Sequence, residues 1–247
     1  MSRGLPPHWI ALSPGDLTPD SSRDFLKRLV PLCRSGLPAL LLREPQLDAR
    51  FYLELASAAR RVLKKHNAAL ILHDAPHLVS AADAQGVHLG FRSLSPVQVR
   101  AMVPDSIWIG RSTHAGDDIG PEGIDYVSYG PVFATPSKVG LVEPIGLPAL
   151  QERVEAGSQH PLGDIPVWAL GGISPQNVRK VWATGVHGVA LRGGFWNDRR
   201  PARIMRLLLK TKPKGPGSSG VHSNRLGLPS RFRTMPGRKN SKPDRDD

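Results

Sequence analysis

The chain has 247 residues, of which 40% are hydrophobic and 22% are charged, with a net charge of +12 and one cysteine, Cys33. This length can bury a core without covalent staples, and a lone cysteine excludes an internal disulfide. No apolar run is long enough to cross a bilayer, and prolines interrupt the short apolar stretch at the start. We therefore expect a cytoplasmic protein that binds no membrane, with Cys33 buried.

Eight short apolar runs alternate with helical patterns along most of the chain. The runs are His8–Leu12, Ala39–Leu42, Ala69–His73, Gly86–Leu89, Trp108–Arg111, Tyr126–Tyr129, Val167–Leu170 and Gly188–Leu191. They are apolar almost throughout, which is typical of parallel strands covered on both faces. Helix starts are indicated at Ser21/Ser22, Asp48, Ser95-Pro96 and Ser174-Pro175, and a last amphipathic helix at Pro201 to Leu209.

This alternation predicts the α/β class, with residues 1–209 forming a single (β/α)₈ TIM barrel. A doubly wound open sheet is the alternative, but the turn after the first strand reads Ser13-Pro14-Gly15-Asp16 instead of a glycine-rich fingerprint. The connection after the fifth strand, residues 113–123, contains three glycines and a proline. We expect a loop or a single turn there in place of a barrel helix.

Residues 210–247 form a basic tail that carries much of the net charge. The tail has ten Lys/Arg and three Asp, so the first 209 residues carry only +5 of the total. It is rich in Pro, Gly and Ser and lacks an apolar period, which predicts disorder. The tail is either an arm for RNA or another polyanion, or a solubilising extension. No aromatic platform accompanies its charges, so we expect at most weak nucleic-acid binding, through the tail alone.

Two glycine pairs predict a phosphate site. Gly171-Gly172 ends the seventh strand, and Gly193-Gly194 follows the eighth. The loops after these strands commonly bind phosphate in barrels, because glycine lets backbone N–H groups approach an anion closely. A pair of simple turns is the alternative for each.

Further polar residues follow other strands, where barrel active sites collect. The candidates are Arg43, Asp74, Ser112, His114, Thr135, Ser137 and Lys138. His88 and His187 lie in or beside strands and are expected to be packed. No set of residues has zinc-ligand spacing, so no metal site is predicted from spacing alone.

Several of these runs resemble the thiamine phosphate synthase and TenI superfamily. They are LLLRE (40–44), GVHLG (86–90), GRSTH (110–114), DYVSYGPVFATPSK (125–138), PVWALGGISPQN (166–177) and GVALRGG (188–194). The resemblance implies a TIM-barrel enzyme of thiamine biosynthesis that acts on a phosphorylated thiazole or a related small molecule. It also implies a homo-oligomer if the chain follows the TenI subgroup.

The synthase residues implied by the resemblance are only partly kept. Thr135, Ser137, Lys138 and Ser112 match the synthase's substrate-binding positions, and Arg43 is the one survivor of its Q-x-R-x-K motif. The Asn-Asp pair after strand three is replaced by His73-Asp74, and the serine after strand eight by Gly193. The second magnesium-binding aspartate is replaced in the segment Phe91-Arg92-Ser93, which weakens the case for diphosphate chemistry.

Three functions remain open at this point. The first is a TenI-like, metal-free tautomerisation of a thiazole phosphate, in which His114 transfers the proton and Arg43 pairs with the substrate carboxylate. The second is thiamine phosphate synthase, which would join hydroxymethylpyrimidine diphosphate to thiazole phosphate, release pyrophosphate and require Mg²⁺. The third is a non-catalytic homologue that binds a phosphorylated ligand. We expect the first, with no cofactor.

Overall fold

The computed structural model of the protein describes residues 4–114, 116–117, 122–135, 142–160, 164–196, 198 and 200–211. Eight parallel strands close into one barrel in chain order, and β1 pairs with both β2 and β8. They are β1 (Trp9–Leu12), β2 (Ala39–Leu42), β3 (Ala69–His73), β4 (Gly86–Leu89), β5 (Trp108–Thr113), β6 (Tyr126–Tyr129), β7 (Val167–Leu170) and β8 (Gly188–Leu191). The predicted TIM barrel is confirmed.

Seven helices accompany the strands in the described part of the chain. They are α1 (Pro19–Arg34), α2 (Ala49–Lys64), α3 (Pro96–Met102), α4 (Gly146–Ser158), α5 (Val178–Trp182), α6 (Gly193–Trp196) and α7 (Pro201–Leu209). The predicted start at Asp48 is confirmed, because its side chain accepts a hydrogen bond from the N–H of Phe51. Ser95 likewise caps α3 through the N–H of Gln98.

Two predicted helix starts are wrong. α1 is capped by Thr18, whose hydroxyl accepts the N–H of Ser21, so Ser21 lies inside the first turn. The helix after β7 begins at Val178 and not at Ser174-Pro175. There the Asn177 side chain accepts the Ser174 N–H, which keeps these residues in a turn ahead of the helix.

The barrel interior is filled by side chains of alternate strand positions. This inner cluster is separate from the larger core between the strands and the helices, and it consists of Ile10, Ala39, Leu41, Ala69, Ile71, Tyr126, Trp168 and Ala190. The two large aromatic rings face glycines of neighbouring strands: a Cβ at Gly110 would lie 2.1 Å from the Tyr126 ring, and one at Gly188 would lie 2.0 Å from Trp168. The described strand residues therefore fill the interior with a packed core.

The amino-terminal segment covers the end of the barrel where the strands begin. The indole N–H of Trp168 donates to the carbonyl of Pro7 at 3.1 Å, and that of Trp108 donates to the carbonyl of Gly4. This leaves the opposite end, where the strands finish and loops follow, as the open mouth of the barrel.

Other expectations are met to different degrees. The described residues between Thr113 and Tyr126 contain turns and no helix, as predicted for that connection. Cys33 is buried, and burial raises the pKa of its thiol to about 12. None of the described helices is long and apolar enough to span a membrane. Residues 212–247, nearly all of the predicted tail, lie outside the described part of the chain, so their disorder stays a prediction.

Candidate active site

The turn after β7 is pressed against the loop after β6. Gly171 and Gly172 have φ angles of +95° and +63°, and a Cβ at either would lie 2.5–2.6 Å from Pro131 or the Ala134 carbonyl. The Asn177 amide also donates to the carbonyl of Gly172 at 2.9 Å. Both glycines are therefore required by the backbone, which holds the turn rigidly at the mouth.

The second glycine pair begins a short extra helix, α6. A Cβ at Gly194 would have no neighbour closer than 3.8 Å, and its nearest atom is the carbonyl of Ile173 after β7. The two glycine segments therefore lie side by side. Loops after strands seven and eight with a short helix are the usual parts of a barrel phosphate site.

Side chains outside the mouth hold α6 in place. Arg28 of α1 donates from Nη2 to the carbonyls of Trp196 at 2.6 Å and Asp198 at 2.9 Å, at the end of the short helix. The indole N–H of Trp196 donates to the carbonyl of Leu12 at the end of β1. A four-residue helix makes few hydrogen bonds of its own, so these contacts fix its position.

Two arginines converge beside the loop after β1. A Cβ at Gly15 would lie 3.3 Å from Nη1 of Arg192 and 3.9 Å from Nη1 of Arg43. The buried Glu44 carboxylate does not pair with them: it accepts the N–H groups of Gly15 and Leu17, both at 2.8 Å. Neither guanidinium hydrogen-bonds or ion-pairs with another described residue. Arg192 was missed by the sequence reasoning, because its approach to Gly15 depends on the pairing of β8 with β1.

The predicted residue Ser112 belongs to a buried polar network below the mouth. His88 lies at its centre, with Nε2 3.0 Å from the Ser112 hydroxyl and Nδ1 3.0 Å from the Tyr126 hydroxyl. The Ser128 hydroxyl lies 3.2 Å from the same Nε2. Burial lowers the pKa of His88 to about 3, and the nearby positive charges act in the same direction. His88 is therefore packed, as predicted, and neutral.

His114 is held by a carboxylate at the end of β5. Its Nδ1 lies 3.5 Å from Oδ2 of Asp117, and its backbone N–H donates to the same oxygen at 2.7 Å. From α4, the buried Arg153 donates to the carbonyls of His114 at 3.0 Å and Asp117 at 3.1 Å, with its guanidinium 4.5 Å from the Tyr129 ring centre. Asp117 and Arg153 were not among the predicted residues, since their contacts with His114 depend on the conformation of the loop after β5 and on its packing against α4, which a sequence does not reveal.

Four predicted site residues remain, namely Asp74, Thr135, Ser137 and Lys138. Asp74 is exposed at the end of β3, and Thr135 is half-buried after β6. Ser137 and Lys138 lie outside the described residues, so their predicted contacts stay predictions. The structure thus brings the four glycines together and places Arg43 beside Arg192, whereas Ser112 joins the network around His88.

Comparisons with known proteins find a family that matches most of the barrel. The thiamine monophosphate synthase family matches residues 15–195. The chain belongs to this family. It is 35% identical over 194 residues to a putative thiamine-phosphate synthase of Geobacter sulfurreducens, covering 77% of this chain and 88% of that one. It is 30% identical to the thiamine-phosphate synthase of Vibrio campbellii, over 78% of this chain and 95% of that one.

A solved structure supports the same assignment. The thiamine phosphate pyrophosphorylase of Pyrococcus furiosus superposes with a TM-score of 0.70 at 25% identity, covering 82% of this chain and 94% of that one. The chain is thus an enzyme of thiamine biosynthesis by family, and the resemblance seen in its motifs is confirmed. The closer similarity to TenI expected from the sequence is not specifically supported by these relatives.

The magnesium site implied by the synthases of this family does not fit the residues present. At the expected second carboxylate stands Ser93, whose hydroxyl accepts the N–H of Gly90 at 2.8 Å. Beside it lies His73, whose pKa is lowered to about 4 by burial and by the charge of Arg43. Asp74 is the one carboxylate left of the implied pair, and no described group of three or more His, Cys, Asp or Glu could hold a metal ion. Mg²⁺ prefers several hard oxygen ligands, which this donor set does not supply.

Proposed function

We propose that this enzyme catalyses a metal-free proton shift on a thiazole phosphate, a tautomerisation of the TenI kind. The observation that carries the proposal is Ser93: a serine hydroxyl committed to Gly90 occupies the position where diphosphate displacement needs a carboxylate. A proton shift needs no leaving group and no metal. It needs one group that can take and return a proton, and His114 with its carboxylate partner supplies such a group.

The substrate phosphate would bind at the paired glycine segments after β7 and β8. Gly193 is exposed and Gly194 is half-buried, so backbone N–H groups of this segment can donate to phosphate oxygens. With the phosphate fixed, the thiazole ring extends across the mouth towards the other strand ends.

His114 would then move the proton. Asp117 faces Nδ1 of the imidazole, which leaves Nε2 to remove a proton from one carbon of the substrate and to return it at another as the double bonds shift and the ring becomes aromatic. Asp117 also fixes the ring orientation and stabilises the imidazolium that forms between the two transfers. Arg153 maintains this geometry by tying both backbone carbonyls to α4.

The test is the aromatisation of the carboxylated dihydrothiazole phosphate tautomer, followed by absorbance and by deuterium incorporation from D₂O. We expect the wild type to accelerate it, and His114→Gln to lower kcat by roughly 100-fold or more, as is usual for loss of a general acid/base. His77→Gln, which changes an exposed histidine, is the matched control and should retain full activity. An unchanged rate of aromatisation with the wild-type enzyme would refute the proposal.

Thiamine phosphate synthase is the second candidate, and the names of the Geobacter and Vibrio relatives favour it over the tautomerase. Its assay is release of pyrophosphate from hydroxymethylpyrimidine diphosphate and thiazole phosphate in the presence of Mg²⁺. Under our proposal the wild type is slow in this assay, and Ser93→Asp, which restores a carboxylate, raises the rate. Rapid pyrophosphate release by the wild type would establish the synthase and overturn the tautomerase assignment.

A further inference from the structure

The outer surface of the barrel carries a groove between α1 and α2, away from the mouth. Residues four apart lie on one face of an α-helix. α1 presents Leu26, Val30 and Arg34 at this spacing. α2 presents Ala58 and Val62 in the same way. These two rows line a groove of about 640 Å³, which is a volume typical of binding clefts in proteins.

The floor of this α1/α2 groove is apolar and remains accessible to solvent. It consists of Leu26, Val30, Ala58 and Val62, which are all half-buried. Leu26 and Val62 also pack against the barrel core, so the core fixes the positions of both side chains. Covering the floor with apolar side chains of a partner would remove this surface from water, which is the main driving force of protein association.

One end of the groove is basic. Because α1 and α2 each connect two parallel strands, they run in the same direction and their last turns lie side by side. This basic end consists of Arg34, Arg61 and Lys65, which are exposed and make no side-chain hydrogen bond or ion pair with another described residue. Lys64 beside them pairs with Asp83 at 3.2 Å. No described residue that lines the groove is acidic, so its positive charge is left in excess.

We infer that the α1/α2 groove binds an acidic amphipathic helix of a partner protein. Apolar side chains three or four residues apart would cover the floor, and glutamates or aspartates beside them would pair with the guanidinium groups of Arg34 and Arg61. This interaction lies outside the active site and does not depend on the proposed function.

Other occupants match the groove less well. An RNA would gain little from an apolar floor, since its affinity comes mainly from contacts to phosphates. A second copy of the chain that docked through the same face would bring the basic ends of two grooves together, and their like charges would repel. An acidic helix complements both the floor and the charge.

The test uses the full chain and a fluorescein-labelled synthetic peptide of about 15 residues, with leucine at every third or fourth position and glutamate at most others. A matched peptide has serine in place of each leucine and the same charge. Fluorescence anisotropy should show that the leucine peptide binds at least about tenfold more tightly, because only its leucines can cover the floor. Equal affinities would show attraction by charge alone, which the basic residues 210–247 could also supply, and would overturn the proposal.

Two substitutions locate the binding in the groove. Ala58→Glu puts a carboxylate on the floor and Arg61→Glu reverses a charge at the basic end, and each should weaken binding of the leucine peptide by about tenfold or more. Arg61 is exposed and glutamate is a good helix former, so Arg61→Glu tests the groove even if Ala58→Glu fails to fold. Lys180→Glu, which reverses an exposed charge on α5, is the matched control and should bind like the wild type.

Two results with these proteins would contradict the proposal. Equal losses for Arg61→Glu and Lys180→Glu would mean that net charge alone governs binding, and the cations would then serve only to stabilise the carboxyl ends of α1 and α2. Displacement of the leucine peptide from the wild type by phosphatidylserine vesicles would assign the groove to a membrane surface instead.

Discussion

The buried imidazole of His88 makes the stability of the barrel depend on pH in a measurable way. Its ring contacts the hydroxyls of Ser112, Ser128 and Tyr126, which can donate or accept as the neutral ring requires. Its pKa in the folded protein is lowered to about 3, whereas an unfolded histidine has about 6.5. The unfolded state therefore binds a proton that the folded state excludes, and stability present above pH 6.5 is lost as the pH falls towards 3.

The size of the effect follows from the unfolded state alone. At pH 5 the folded ring is still neutral, so protonation of the unfolded chain at this residue costs about 2 kcal/mol of stability relative to pH 7.5. His73, whose pKa is lowered to about 4, acts in the same direction. Between about pH 6 and pH 5, where the unfolded histidines are protonated and the folded ones are not, each histidine adds a slope of about 1.4 kcal/mol per pH unit.

Urea unfolding followed by tryptophan fluorescence from pH 7.5 to 4.5 measures this slope. His88→Gln keeps a hydrogen-bonding side chain but does not titrate. It should therefore lower the slope of unfolding free energy against pH by about 1.4 kcal/mol per pH unit, which corresponds to one proton. Ser128→Ala removes a hydroxyl partner and leaves the imidazole in place, so it should change the stability but keep the slope. A His88→Gln slope equal to that of the wild type would refute the assignment of a neutral buried ring.

Two further substitutions test the packing of the barrel and the support of the loop that carries His114. Gly188→Ala should destabilise the fold by about 1–3 kcal/mol or more in urea unfolding, because its Cβ would lie 2.0 Å from Trp168. Gly194→Ala, whose Cβ would have no neighbour closer than 3.8 Å, should not, and equal stabilities would contradict the packing. Arg153→Met should lower kcat of aromatisation by roughly tenfold to 100-fold with little change in KM, since a small misplacement of His114 is costly while phosphate binding is remote. A change confined to KM would count against this role.

The barrel could be predicted because its strands are buried on both faces and read as continuous apolar runs. The prediction fell short at β5, which continues to Thr113 although its apolar run stops at Ile109. Ser112 is polar and inward-facing, and it is tolerated there because His88 and Ser128 hydrogen-bond to it. The register between neighbouring strands decides which polar side chains meet inside a barrel. The periodicity within one strand does not reveal that register.

The predicted helix starts were wrong where side chains near the first turn hydrogen-bond to neighbouring backbone N–H groups. The side chains of Thr18 and Ser21 each accept a hydrogen bond from the other's backbone N–H, so either residue resembles a cap in the sequence. Thr18 is the cap, and Ser21 is the third residue of the helix. After β7, Ser174-Pro175 carries the usual start signal. Asn177 holds the Ser174 N–H with its own side chain and delays the helix by a few residues.

For the candidate site, too, the position of a residue at the end of its own strand could be predicted, but its contacts with other strands could not. The glycine pairs and His114 were predictable because each lies at the end of its own strand, where chemistry in this fold collects. Arg192 also lies at a strand end, but its importance appears only when β8 closes against β1 and brings it beside Gly15 and Arg43. Barrel closure therefore brings together two arginines that lie far apart in the sequence. Because the neighbouring histidines are held neutral and Glu44 accepts backbone N–H groups, none of these three side chains forms an ion pair with the arginines.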